Sequence, residues 1–103
     1  MSERASESDW PFNAPRNLGV ITTKSIVQDG KAILSAFHDE EGDWQFLDGG
    51  ATRAEDVLIV SLARIVTLDP SLLQLAGLPP GWQAWRATPT TPWQRAELKG
   101  KST

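Results

Sequence analysis

The sequence predicts a small α+β fold: a mostly antiparallel sheet of about four to five strands, with a hairpin at 31–48 and two short helices at about 62–68 and 70–76. Two features point there. Short runs rich in β-branched and aromatic residues alternate with turn residues through the first half of the chain, and after Ser61 the apolar residues take up helical spacing. The 103 residues have room for one domain. It is read as 17–95, between a flexible N-terminal tail at 1–16 and a disordered C-terminal tail at 96–103.

The first tail mixes Ser, Glu, Arg and Asn with Pro11 and Pro15, too little apolar surface to offset the entropy of ordering. Trp10 and Phe12 are its exceptions. Alternate residues of an extended segment point the same way, so both could clip onto the domain. LGVITT at 18–23 has the β-branched content of a strand. Asp29-Gly30 marks a turn, because glycine accepts positive φ. KAILSAF at 31–37 and WQFL at 44–47 then read as hairpin arms around a loop of about five residues built on Gly42. Alternation puts Trp44 and Phe46 on one face of the second arm. Ile33, Ser35 and Phe37 share one face of the first, and the aromatic side is assigned to the core. Gly49-Gly50 ends the strand, and ATRAED reads as an exposed connection.

VLIV at 57–60 is an uninterrupted apolar run of the kind a buried strand carries. Ser61 is a natural N-cap for LARIVTL, with Leu62, Ile65 and Val66 at helical spacing. Asp69 caps a second helix and Pro70 fits its first position without losing a hydrogen bond. Leu72, Leu73 and Leu75 supply its apolar side, and Gly77 is placed to end it. Pro79-Pro80-Gly81 turns the chain. WQAWRATPTTPW is read as extended because Pro89 and Pro92 follow closely, which sends Trp82 and Trp85 to opposite faces. Trp44 and Trp85 are expected to be the most buried indoles.

Composition narrows function by exclusion. With no cysteine there is no disulfide framework, thiolate nucleophile or cysteine zinc site. Net charge is −3 and the ten basic residues are scattered, which argues against nucleic acid. No basic stretch precedes an apolar run at the N-terminus, and no 18-residue apolar window occurs. The default expectation is a cytoplasmic protein with no membrane contact. The single histidine, His38, has no nucleophile of a known motif to serve, and Asp39 beside it points to the opposite face of a strand. An enzyme is therefore not expected, and no cofactor or metal is assigned.

Two clusters remain as candidate sites. Asp39, Glu40, Glu41 and Asp43 crowd the hairpin tip, with a spacing that does not match the twelve-residue calcium loop. They read either as a solvated tip whose like charges discourage aggregation, or as a contact surface for a basic protein partner. Trp82, Trp85 and Trp93 read either as core or as an aromatic pocket for a small molecule or peptide. The chain itself is expected to be a monomer or a weak homodimer paired through an exposed strand edge.

Taken together, the VITT strand, KSIVQDGK, AILSAFHDEEGDWQFLDGG, VSLARIVTLDPSLLQL and LPPGWQAWR resemble a family of small bacterial proteins grouped as immunity family thirty-three of polymorphic toxin systems, formerly a domain of unknown function. The resemblance spans about residues 18–93, and GDWQFLDG and LDPSL…LPPGW are its most specific parts. It implies an α+β fold and a non-enzymatic role in binding and neutralising a toxin. It carries no catalytic residue. An acidic tip suits such a role, because it can replace the phosphates that a basic nuclease cleft receives. A stand-alone accessory domain is the further alternative.

Overall fold

The structure, a computed structural model, describes residues 10–98. One mixed sheet is built from β1 (Gly19–Thr23), β2 (Ser35–His38), β3 (Trp44–Leu47), β4 (Val57–Ser61), β5 (Trp82–Trp85) and β6 (Gln94–Glu97). Their order is β4-β1-β3-β2-β5-β6. β1 runs parallel to β3, and the other neighbours are antiparallel. Two α-helices, α1 (Lys24–Asp29) and α2 (Leu62–Leu68), and two 3₁₀ segments, Ala54–Asp56 and Pro70–Leu75, complete the α+β fold.

The sheet has six strands rather than four to five. The additional strand is β6, which crosses the expected domain boundary at 95 and pairs along β5. QRAE shows no apolar alternation, so an edge strand held by backbone bonds leaves little trace in sequence. At the other end, residues 10–16 are seated on the domain: Phe12 is buried and meets Trp44 edge-on, with ring centroids 5.4 Å apart. Trp10 packs beside Phe12 and donates its Nε1–H to Ala14 O at 2.8 Å. The remainder of the two expected tails, 1–9 and 99–103, lies outside the described residues.

Local chemistry accounts for the helices. Thr23 accepts from Ile26 N and starts α1, while Gly30, at φ 75°, closes it by donating to Ser25 O. The Asp29-Gly30 turn is thus the end of a helix that the sequence reading omits. Ser61 accepts from Arg64 N at the start of α2, as its position predicts. Asp69 likewise accepts from Ser71 N, but the second segment winds as a 3₁₀ helix and ends on a right-handed Ala76 rather than a left-handed Gly77.

Both helices and the Pro70–Leu75 segment contribute to the core, where Phe46, Leu62, Ile65, Leu72 and Leu75 are fully buried. Trp44 and Phe46 face this core as predicted. On β2 the buried residue is Ala36, not Phe37, because Ala36 lies between Phe46 and Ala84 in the register. A small residue there leaves room for the phenyl ring. VLIV is a strand as expected but lies at the sheet edge and is not buried: Ile59 is 70% exposed. The opposite face of the sheet carries, in one row across the six strands, Ile59, Ile21, Gln45, Phe37, Gln83 and Ala96. A neighbouring row holds Leu47, Ser35 and Trp85.

One buried charge holds the layers together. Arg86, directly after β5, is 5% exposed. Its Nε and Nη2 donate to Ile33 O at 3.1 and 2.9 Å. Nη2 also reaches Asp69 Oδ2 at 2.7 Å, and Nη1 donates to Ser71 Oγ and Pro89 O. All five guanidinium donors are thereby used. The Trp93 ring stacks beneath the guanidinium, 4.1 Å from Cζ to centroid.

Candidate functional site

The β2–β3 hairpin, the start of β5 and the end of β6 meet at one end of the sheet. His38 lies opposite both Trp44 and Trp82, and Trp82 lies opposite Glu97. The five-residue loop between the arms is the expected one, with Gly42 at φ 93°.

The four tip carboxylates are not equivalent. Asp39 turns inward: its Oδ1 accepts from Glu41 N and Asp43 N, both at 2.9 Å. Backbone bonds from Asp39 N to Asp43 O and from Gly42 N to Asp39 O close the same turn. Asp39 therefore shapes the loop, as an Asx-type bond does. Glu40 lies over Gly81, where a Cβ would come within 3.2 Å of Glu40 Cγ. Gly81 also has φ 86°, so glycine is favoured there twice over. Glu41 and Asp43 are exposed and belong to no ion pair among the described residues. Glu97, at the end of β6, adds a further acidic group at this end of the sheet.

A cleft of about 380 Å³ adjoins the tip, between the N-terminal arm, Gly42 and the 76–80 loop. Phe12, Trp44, Leu78 and Pro79 give it apolar walls, and His38 and Asn13 give it polar ones. His38 stacks on Trp44 with centroids 4.0 Å apart, and its Nδ1 lies 2.7 Å from Leu78 O. A carbonyl can only accept, so the proton sits on Nδ1. The ring is held as a structural tie between β2 and the 76–80 loop.

The three tryptophans of the predicted pocket are dispersed. Trp82 is half-buried against the core, Trp85 is 37% exposed on the opposite face, and Trp93 is buried under Arg86. None of them lines this cleft or a second one of about 310 Å³ beside Ile33 and Asp69. Trp93, not Trp85, joins Trp44 among the buried indoles. The sequence reading assigned no role to Phe12 in the cleft or to Arg86 in the core. The aromatic spacing of Trp10 and Phe12 pointed to the first, whereas three of the partners of Arg86, namely Ile33, Asp69 and Ser71, are 15 to 53 residues away and leave no local pattern.

Among the described residues no three His, Asp or Glu side chains gather as a metal site. No helix among them is long and apolar enough to cross a membrane. Comparison with family models, with curated proteins and with solved structures finds none that matches this chain.

Proposed function

We propose that this is a non-enzymatic binding protein that engages a basic protein partner through its hairpin tip, as the resemblance to toxin-neutralising immunity proteins implies. The observation that carries the reading is the division of labour at the tip. Asp39 fixes the loop from within, and this leaves Glu41 and Asp43 presented outward on a preorganised turn. A backbone turn held in this way costs little further ordering when a partner docks, and the field of the carboxylates it carries speeds the approach of a basic one.

The test is affinity capture from the source organism's lysate in moderate salt, with wild type compared against a Glu41→Lys/Asp43→Lys variant. A stoichiometric basic protein retained by the wild type and lost by the variant is expected. Equal capture by both, or none by either, overturns the reading.

A second reading, binding of a small molecule or peptide, moves from Trp82, Trp85 and Trp93 to the cleft beside Trp44, whose volume of about 380 Å³ is that of a small ligand site. His38 is the single histidine, so its ring resonances are a clean probe. Unmoved resonances across a panel of aromatic compounds and short peptides remove this reading.

A further inference from the structure

Within its six strands, the open face of the sheet carries no charge. In a chain with 22% charged residues, Ile59, Ile21, Gln45, Phe37, Gln83 and Ala96 cross all six strands without one. The charged residues within the strands, Arg95 and Glu97, lie on the other face, opposite Ala84 and Trp82. A sheet face left to water ordinarily carries charged and polar residues in alternation with the buried set. Here the exposed side chains include Ile59 at 70%, Val57 at 38% and Trp85 at 37%.

We propose that this face docks on the same face of a second copy of the chain, in a weak two-fold dimer. A neutral surface offers nothing to steer or select a charged partner, but it is complementary to itself. The two glutamines decide between another protein face and lipid. Gln45 and Gln83 are the third and fifth of the six residues in the row, and hydrocarbon would leave their amides unpaired. Across a two-fold axis each amide offers a donor and an acceptor to its counterpart. Strand spacings of ~4.8 Å and residue rises of ~3.3 Å give the face roughly 24 by 15 Å, or about 360 Å² in projection. That falls short of the ~800 Å² per partner of a standard stable interface. The pair therefore dissociates on dilution and forms at high protein concentration.

Sedimentation of the full chain from low micromolar to near-millimolar concentration tests this. The mass is expected to rise from monomer toward dimer, and Gln83→Lys, on β5 within the row, is expected to hold it at monomer with an unchanged melting temperature. Trp85→Glu, on the more exposed row, gives the same outcome if Gln83→Lys fails to fold. Wild type that stays monomeric throughout overturns the proposal. So does a dimer that survives both variants, which would point to edge pairing through β4, or monomeric protein that binds phosphatidylcholine vesicles.

Discussion

Arg86 and the hairpin tip are both concentrations of charge, and the fold treats them in opposite ways. At Arg86 a cation is taken out of water, given a carboxylate, a hydroxyl and two backbone carbonyls, and laid on an indole. At the tip, Glu41 and Asp43 are held out in water, and the carboxylate that turns inward, Asp39, bonds only to its own loop. A buried charge whose every donor is used has nothing left to offer a partner, so its role is structural. A solvated charge costs the fold little and keeps its field for something else.

The largest effect should come from breaking the buried member of this pair. Arg86→Met leaves Asp69 without its cation and strips Ile33 O and Pro89 O of their donors, a loss of about 3–5 kcal/mol by analogy with other broken buried pairs. For a domain of this size that is a melting-temperature drop on the order of 20 °C, measurable by circular dichroism. Arg86→Lys, a point donor without the planar fork, should recover only part of it.

At the tip the account sharpens into a contrast between neighbours. Asp39→Ala should cost about 1–2 kcal/mol in urea unfolding, because two backbone N–H groups lose their acceptor. Ser61→Ala, which removes the N-cap of α2, should cost about 1 kcal/mol. Glu41→Lys/Asp43→Lys should stay within about 0.5 kcal/mol of wild type, as exposed substitutions away from structural bonds do. A large loss in that double variant would mean the outward carboxylates also hold the fold.

The same contrast explains what the sequence made legible. The hairpin, the caps at Ser61 and Asp69 and the inward Trp44 and Phe46 all depend on residues within a few positions of each other, and each is found where its local signal put it. Sheet order is different. VLIV has the composition of a central strand, yet nothing within it says that a single neighbour, β1, would flank it. Phe37 and Ala36 exchange faces for the same reason: the register with β3 and β5, not the hydrophobicity of either residue, decides which points inward. α1 carried its signal in Thr23 and Gly30, but Asp29-Gly30 satisfies a turn equally well. At the candidate site the cluster of four carboxylates was plain in the sequence, whereas their division into the structural Asp39, Glu40 over Gly81 and the outward Glu41 and Asp43 required the backbone positions. Trp82, Trp85 and Trp93 were grouped by proximity in the chain, and strand alternation together with the pull of Arg86 separates them.

The most direct test of the claim that tip charge is kept for a partner is the association rate with the protein captured by the wild type, followed as ionic strength rises. The account predicts a rate that falls with salt for wild type, and a slower, salt-insensitive rate for Glu41→Lys/Asp43→Lys with its melting temperature unchanged. Equal rates and equal salt slopes in the two proteins would contradict it.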